Sequence, residues 1–301
     1  MQAVTSAVAQ AKLRLERARA RYGGIDIVVR TFKRFSEDDG NSYAAALTYY
    51  VFFSIFPLIL ASVSILGFVT LGNDDLKARI FDAGISAFPL LKDVLKPGGL
   101  SYFEDNAQSL AFISIALALY TGSGAIVALE HALNKLDHIG ADEEGTFVEK
   151  RLRSLRWLAI LGPAAIASAG LGGMATYSDE AFGEGTALSL VVAGLSYAGG
   201  FAISVILFVA AYRFLSKAER PWRAVLPGAL AAALAFEVLK TLGALYLATG
   251  AATREATFGV FKASAALLIV AYLISRVTLL GAELNAVLVE RRRTRQSATT
   301  T

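Results

Sequence analysis

The sequence predicts an all-α membrane protein, a polytopic bundle of six transmembrane helices. Three observations predict it: a 301-residue chain that is 55% hydrophobic with mean hydropathy +0.53, six long apolar stretches, and an uneven distribution of Lys and Arg around them. A helix rises about 1.5 Å per residue, so about 20 apolar residues cross a hydrocarbon core of ~30 Å. A large soluble all-α protein is disfavoured, because its buried helices are usually shorter and amphipathic. The predicted spans are residues 44–71, 107–130, 156–176, 187–212, 224–249 and 257–288.

The basic residues orient these spans. Of the 29 Lys and Arg, 21 lie before residue 44, between residues 131 and 156, between residues 213 and 223, or after residue 289. Five lie in the loops of the opposite side, and three lie within spans. Because basic residues near span ends are retained in the cytoplasm, both termini are predicted to be cytoplasmic, as an even number of crossings requires. The net charge of +4 suits contact with anionic lipid headgroups.

Three regions follow from these boundaries. Residues 1–43 are predicted to form a basic cytoplasmic tail that includes an interfacial helix. Residues 44–289 form the six-span membrane domain, with an outer loop at residues 73–106, and residues 290–301 form a second basic cytoplasmic tail.

The interfacial helix is predicted over residues 25–36. Apolar side chains recur there on one helical face and cations on the other. This pattern is typical of a helix that lies along a membrane surface, with Phe32 and Phe35 in the headgroup region. A solvated tail is the alternative.

Charged residues inside the predicted spans are the first candidate functional residues. A charge in the hydrocarbon core costs from ~3 to more than ~10 kcal/mol, so such a residue normally faces a partner or a water-filled cavity. Glu237 and Lys240, three residues apart on the fifth span, are neighbours on one helix face. Arg276 and Glu283 share a face of the sixth span, at a depth comparable with that pair. Lys262, near the end of the sixth span, can snorkel outward.

Two more polar residues, Glu130 and Asn134, lie near the cytoplasmic end of the second span. The functional interpretation is a polar path for a charged or amphipathic substrate. The alternative is a set of interhelical ion pairs that stabilise the bundle, and for the fifth-span pair the two interpretations are equally favoured. The substrate-path candidates are Glu237, Lys240, Arg276, Glu283, Glu130 and Asn134.

Helix-breaking residues are the second signal. Pro57 lies in the middle of the first span and should kink it. Gly122 and Gly124, within the Thr-Gly-Ser-Gly sequence at 121–124, could unwind the second span. Unwound backbone at membrane depth is tolerated only beside protein or a water-filled cavity, as in many transporters. These three residues are hinge candidates, and close helix packing by small residues is the alternative at 121–124.

Enzymatic chemistry has little support in the sequence. The absence of cysteine excludes disulfides, thiol catalysis and Cys-ligated metals. His131 and His138 lie near Asp137 and the acidic residues 142–144, but without a metal-site spacing such as HExxH. With no Walker loop, dinucleotide fingerprint or GxSxG motif, no metal, cofactor or ATP-driven step is expected. The basic tails lack interleaved aromatic residues and a binding module, so nucleic-acid partners are not expected.

Several segments together resemble the YihY/BrkB family of bacterial inner-membrane proteins, including its YhjD branch. The segments follow one another in order between residues 25 and 289 and are Ala44–Tyr50, Phe53–Leu58, Ala132–Asn134, Pro227–Leu230, Phe236–Lys240 and Gly281–Ala286. The resemblance implies a six-span inner-membrane protein with both termini inside and a role in the cell envelope. It also implies links to serum resistance in one branch and to export of lipid-type molecules in another. The older ribonuclease label of the family finds no matching metal cluster or soluble domain in this sequence.

The predicted function is transport or export of an envelope lipid or amphipathic molecule, without ATP. Its substrate would pass a polar groove lined by the first, second, fifth and sixth spans. A scaffold that binds lipid or an envelope partner through loop 73–106 is the alternative, and a membrane-bound hydrolase ranks last. A cavity open to one leaflet or one aqueous side would favour transport, whereas dry packing along the fifth and sixth spans would favour the scaffold.

Overall fold

The computed structural model describes residues 21–69, 107–140, 145–183, 185–248 and 262–299. These residues form helices and short connections and contain no strand. A π-helical turn at Ala211–Leu215 extends the fifth helix. The helices are α1 (Gly23–Glu37), α2 (Gly40–Val69), α3 (Ala107–Leu136), α4 (Phe147–Phe182), α5 (Ala187–Ala210), α6 (Trp222–Ala248) and α7 (Lys262–Thr299).

Each of the six apolar stretches found in the sequence corresponds to one long helix, from α2 to α7. Within the described residues, four segments are long and apolar enough to cross a membrane: Ile115–Leu136, Ala187–Leu215, Trp222–Leu242 and Ala265–Ser297. The helical fold class is therefore confirmed, together with several helices capable of spanning a membrane. Helix α7 continues to Thr299 and so includes most of the predicted C-terminal tail.

Local sequence signals explain where two of the long helices begin. At the start of α4, the Thr146 backbone N–H donates to Glu149 Oε2 at 2.9 Å, and the Glu149 N–H donates to Thr146 Oγ1 at 3.4 Å. This is a capping box, and its hydrogen bonds with Thr146 lower the pKa of the Glu149 carboxyl. At the start of α5, Thr186 Oγ1 accepts from the Ser189 N–H at 3.1 Å.

The helices α2 to α7 form a closed ring in chain order. Each packs on the next, and α7 returns to pack on α2. Helix α1 lies against α7 and α2. This arrangement gives each helix of the ring two neighbours.

The hydrophobic core lies at one end of this ring. It combines residues of α1, the start of α2, the end of α3, the π-helical turn, the first half of α6 and the second half of α7. This is the end that the distribution of Lys and Arg predicts to be cytoplasmic. Its buried members are Phe35, Ala44, Ala132, Leu133, Leu136, Tyr212, Leu215, Val225, Ala229, Ala232, Leu279 and Ala282.

The turn between α1 and α2 is tight. Asp39 has a positive φ of 54°, and a Cβ at Gly40 would lie 2.4 Å from the Phe35 ring. Phe35 is 1% exposed, so the expectation that its ring lies in the headgroup region was wrong. Phe32 is 50% exposed and lines a groove with Ala231 and Ala232 of α6. Helix α1 therefore uses one aromatic residue to join the bundle and leaves the other at the surface.

Helices α6 and α7 cross at two glycines. A Cβ at Gly228 would lie 2.0 Å from the Gly281 carbonyl oxygen, and a Cβ at Gly281 would lie 2.4 Å from Tyr212 Oη. The backbones are thus in direct contact, as small residues permit at helix crossings in membranes. This part of the α6–α7 interface is closely packed.

Candidate functional site

The structure divides the candidate polar residues into two groups. The first, called the end cluster below, surrounds Glu283 at the packed end of the ring and includes Arg34, Asp38, Asn134 and Asp137. The second, called the α6 pair, consists of Glu237 and Lys240. The side chains of the two groups differ in burial.

Glu283 is the most buried charged residue of the end cluster. Its side chain is 0% exposed, and its Oε2 lies 3.0 Å from Arg34 Nε. Neither of its carboxylate oxygens has a hydrogen-bond donor among the described residues. Asp38 and Asp137 lie close enough to act on it electrostatically. A buried carboxylate with one cationic neighbour and further acids nearby depends on that cation for its stability.

Arg34 of α1 is that cation, and it has several acceptors. Its Nε lies 3.3 Å from Asp38 Oδ2, its Nη1 lies 3.1 Å from Glu290 Oε2, and its Nη2 donates to the Leu136 carbonyl at 3.4 Å. These contacts join α1 to the ends of α3 and α7. Arg34 therefore connects the N-terminal helix to the bundle.

The connection between α5 and α6 is bonded to the end of α3. Asn134, which is fully buried, accepts from the Lys217 backbone N–H at 2.9 Å through its Oδ1. Asp137 forms short contacts with the Ser216 hydroxyl and with the Arg220 guanidinium. The sequence identified Asn134 as a path candidate, but in the structure it positions a backbone connection.

Asn285 binds the backbone of α6. Its Oδ1 accepts from the Gly228 N–H at 2.7 Å, and its Nδ2 donates to the Val225 carbonyl at 3.0 Å. Both bonds are buried, and Asn285 is 0% exposed. The segments Pro227–Leu230 and Gly281–Ala286, which carried the family resemblance, therefore meet in space at this crossing.

Glu130, another path candidate, is bound by Arg153 of α4. Arg153 Nε donates to Glu130 Oε2 at 3.1 Å, and its Nη2 contacts Oε1. The Glu130 side chain is 4% exposed. This is a two-point ion pair between α3 and α4, the strongest geometry for such a pair.

The α6 pair has a different environment. Lys240 Nζ lies 2.8 Å from Glu237 Oε1, and the same oxygen accepts from the Ser204 hydroxyl at 2.8 Å. Ser204 in turn lies 3.0 Å from the Ser168 hydroxyl, so a chain of polar groups crosses from α6 through α5 to α4. The side chains of Glu237 and Lys240 are 21% and 27% exposed. The pair is thus partnered and partly exposed, although the Lys240 Nζ atom itself is buried.

The two groups lie at different depths. Helices α6 and α7 are antiparallel and cross at Gly228 and Gly281. Glu237 lies nine residues beyond this crossing on α6, and Glu283 lies two residues beyond it in the opposite direction. At about 1.5 Å per residue, about 16 Å of helix separates them. The expectation of comparable depth was therefore wrong for Glu283.

Arg276 lies between these two depths. Its guanidinium carbon is 5.9 Å from the centre of the Phe35 ring, in cation–π contact with the α1 residue that joins the core. The side chain of Lys262 is not among the described ones. Arg276 therefore faces the end of the ring where α1 packs.

The hinge candidates lie within continuous helix. Helix α2 runs through Pro57, and α3 runs through residues 121–124 without interruption. A Cβ at Gly122 would lie 3.2 Å from Leu158 of α4, and a Cβ at Gly124 would lie 3.2 Å from Tyr50 of α2. Of the two interpretations of residues 121–124, this structure has the close packing of small residues, because both glycines lie near side chains of neighbouring helices.

The histidines have separate surroundings. His131 makes an edge contact with Tyr43, and His138 Nε2 lies 3.7 Å from Asp38 Oδ2. Among the described residues no group of three His, Cys, Asp or Glu side chains is arranged to hold a metal. The acidic residues 142–144 lie outside the described part of the chain.

The sequence identified the buried acids of the spans but not the residues that contact them. Arg34 was counted only among the surface cations of the interfacial helix, and Arg153 only among the basic residues that set topology. Ser168 and Ser204 gave no signal, because single serines are common in apolar helices. A buried carboxylate in a span normally has a cationic partner, so Glu283 and Glu130 each indicate that one exists. No sequence spacing identifies the Lys or Arg that fills this role.

Comparisons with known proteins agree with this architecture. Residues 31–301 match the model of the family described as Virulence factor BrkB, which confirms the resemblance noted in the sequence. The ribonuclease-like protein YfkH of Bacillus subtilis is 26% identical over 272 residues, which cover 87% of this chain and 94% of YfkH. No solved structure matches the chain.

Two further relatives are described as membrane proteins. A UPF0761 membrane protein of Chromohalobacter salexigens is 28% identical over 287 residues, covering 89% of this chain and 65% of that protein. The inner membrane protein YhjD of Escherichia coli is 29% identical over 108 residues, covering 35% of this chain and 32% of YhjD. The chain thus spans slightly less than two thirds of the UPF0761 relative. These names and the apolar helices support a membrane location.

Proposed function

We propose that this chain, which belongs to the Virulence factor BrkB family, is a six-span bacterial inner-membrane protein that exports an envelope lipid or amphipathic molecule without ATP. The proposal has three parts: a topology, a path and a substrate class. Each has its own supporting observation and its own test.

The topology is six crossings with both termini in the cytoplasm. It is supported by six long helices in a closed ring and by the concentration of Lys and Arg on one side. Because the chain has no cysteine, single cysteines at Ser101 and Ser297 report each side directly. An impermeant maleimide should label Ser101→Cys in intact cells and should leave Ser297→Cys unlabelled until the membrane is permeabilised. The reverse pattern would overturn the topology.

The path is supported by the contrast between the two ends of α6. Near its start, α6 packs on α7 through glycine backbones, and the end cluster joins α1, α3 and α7 around Glu283. Farther along α6, Glu237 and Lys240 are partly exposed. A transporter that is closed on one side and accessible from the other has this distribution of packing and polarity.

The single observation that carries the proposal is the α6 pair itself. Two opposite charges lie near the middle of an apolar helix and are linked by serine hydroxyls to two further helices, yet more than a fifth of each side chain is exposed. Charges at membrane depth are costly, so they normally face a partner or a water-filled cavity. Opposite charges side by side suit an amphipathic substrate, whose phosphate or amine could exchange with one member of the pair.

A lipid translocation assay tests the proposal. Purified protein in proteoliposomes should expose fluorescent phosphatidylglycerol to a quencher in the opposite leaflet faster than protein-free vesicles do, with no nucleotide present. The double variant Glu237→Gln/Lys240→Met should remain folded and lose this acceleration. Equal rates with wild-type protein and with protein-free vesicles would overturn the proposal for this substrate.

The scaffold remains the second candidate function because of one observation. Helices α6 and α7 pack backbone against backbone at Gly228 and Gly281, and close packing along these helices favours a scaffold. A scaffold would retain lipid on purification but would not accelerate translocation. The assay therefore separates the two functions, since only transport predicts a rate.

A further inference from the structure

We propose that Arg151, on the lipid-facing side of α2, α3 and α4, binds the phosphate of an anionic phospholipid. The site shares no residue with the end cluster or the α6 pair. The proposal does not depend on transport, because a scaffold in the same membrane would present the same surface.

The guanidinium of Arg151 is held against an exposed aromatic ring. Its central carbon lies 4.1 Å from the centre of the Tyr120 ring, well within cation–π distance. Gly124, one turn farther along α3, makes room for it: a Cβ there would lie 3.6 Å from Arg151 Nη1. The same Cβ would lie 3.2 Å from the Tyr50 ring of α2. Arg151 therefore extends from α4 over α3, where the Tyr120 ring orients its guanidinium.

This surface faces away from the hydrophobic core. Leu129 and Leu133 are the α3 residues that pack on the core. Tyr120 lies nine residues before Leu129. At about 100° per residue, the two side chains lie on opposite sides of the α3 axis. Tyr120 is 64% exposed and Tyr50 is 43% exposed, as expected for that side. In a membrane, the outward side of a helix ring contacts lipid.

Arg151 has an uncompensated charge within the described part of the chain. No carboxylate there lies within ion-pair distance of it, whereas Arg153, two residues later, is bound by Glu130 at two points. A guanidinium that contacts a ring face still has its N–H groups available at the edge. Planar, bidentate donation to phosphate oxygens is the interaction that Arg makes best.

The backbone of Arg151 lies on the headgroup side of the fourth span. Arg151 belongs to the charged first turns of α4, five residues before Arg156, where the predicted span begins. Its long side chain reaches from there to the Tyr120 ring, which lies ten residues inside the second predicted span.

The adjoining surface suits acyl chains. Large apolar side chains on α2 and α3 continue from the Tyr120 ring and are exposed. This combination of one oriented cation and a wide apolar surface favours a lipid over a nucleic acid, which would require a row of cations. The exposed residues are Tyr49, Phe53, Phe112, Ile113 and Leu117.

Native mass spectrometry of the purified full chain tests the site. The protein in detergent is titrated with phosphatidylglycerol and, separately, with phosphatidylcholine of the same acyl chains. Arg151→Gln should weaken phosphatidylglycerol binding about tenfold and leave phosphatidylcholine binding unchanged. The phosphate of phosphatidylcholine already has the choline cation beside it, whereas that of phosphatidylglycerol has none. Arg156→Gln is the matched control, since it removes the same charge from an exposed position of the same helix, and it should change neither affinity.

A second variant keeps the test decisive if Arg151→Gln folds poorly. Tyr120→Leu retains the guanidinium but removes the ring that orients it, and should weaken phosphatidylglycerol binding about threefold. Wild-type affinity in Arg151→Gln or Tyr120→Leu, or an equal loss in Arg156→Gln, would overturn the site. The readout is binding alone: unchanged binding in these variants, with translocation by the wild-type protein intact, overturns only this site. Weakened binding in the variants, with no translocation by the wild-type protein, overturns only the exporter.

Discussion

The end cluster and the α6 pair contain the same kinds of residue in different surroundings. In the end cluster, Glu283 is fully buried and has one cation within ion-pair distance among the described residues, Arg34. In the α6 pair, Glu237 has a cation and a hydroxyl within 2.8 Å and is 21% exposed. A buried carboxylate that depends on one contact stabilises one arrangement of helices. A partly exposed pair can exchange a partner without unpacking the bundle.

The difference follows from what each part of α6 and α7 packs against. Glycines at 228 and 281 bring the two backbones together at the packed end, and Asn285 binds the α6 backbone there. Nine residues farther along α6, Glu237 instead contacts α5, through the Ser204 hydroxyl. The neighbouring helix therefore decides the surroundings of each acid.

The largest expected effect comes from breaking the end cluster at Arg34. Arg34→Gln leaves Glu283 buried without its cation, which should lower the free energy of unfolding by about 4 kcal/mol. Thermal unfolding of the purified protein in detergent measures it. Lys33→Gln is the control, because its pair with Glu37 is exposed and should contribute less than about 0.5 kcal/mol.

A companion variant sharpens this result. Replacing both members of the pair, as Arg34→Met/Glu283→Leu, should recover most of the loss, because removal of a whole buried pair is often nearly neutral. If Arg34→Gln unfolds at the same temperature as Lys33→Gln, Glu283 needs no cation, and the end cluster is not held by this contact.

The next largest effect on stability is steric and concerns the crossing of α6 and α7. Gly228→Ala places a methyl group 2.0 Å from the Gly281 carbonyl oxygen and should destabilise the protein by about 3 kcal/mol. Gly194→Ala on α5 is the matched control, since no atom lies within 4 Å of its added Cβ. That control should be neutral or stabilise by up to about 1 kcal/mol. Similar melting temperatures for the two variants would show that α6 and α7 separate easily.

Changes at the α6 pair should lower the free energy of unfolding less, but they should reduce lipid translocation more. Glu237→Gln should destabilise by about 1 to 2 kcal/mol, because Lys240 loses its charge partner. The double variant Glu237→Gln/Lys240→Met should regain that stability yet remain inactive in lipid translocation. Val238→Ala, at a 49% exposed neighbouring position, is the control and should stay active. Full translocation by the double variant would make the pair structural, like the end cluster.

The smallest expected effect concerns the exposed side of α1. Phe32→Ala should change the free energy of unfolding by less than about 0.5 kcal/mol, because Phe32 is 50% exposed. Phe35→Ala, three residues later, should cost about 3 to 5 kcal/mol, because Phe35 is buried in the core. Thermal unfolding compares the two. Equal losses would place both rings in the core.

The sequence by itself determined the helical class, the positions of the long helices and the polar residues within them. These properties are local: an apolar run of sufficient length must be helical in a membrane, whichever neighbours it has. Asn285 and Gly228 could also be found as parts of family-like segments, although their contact could not. The interfacial segment 25–36 was predicted as a helix because its period is visible within four turns.

Only the tertiary structure decided the partners and therefore the roles. Arg34 and Glu283 are 249 positions apart, and Glu130 is bound by an arginine that the charge count had used only to set topology. The tertiary structure also decided the role of Phe35, whose ring packs against the turn at Gly40. It likewise showed that Gly122 and Gly124 are contact points within a continuous helix. Sequence periodicity specifies which side of a helix is polar or small. Which neighbour covers that side depends on how the helices are arranged around the ring, and that arrangement arises from contacts between residues far apart in the chain.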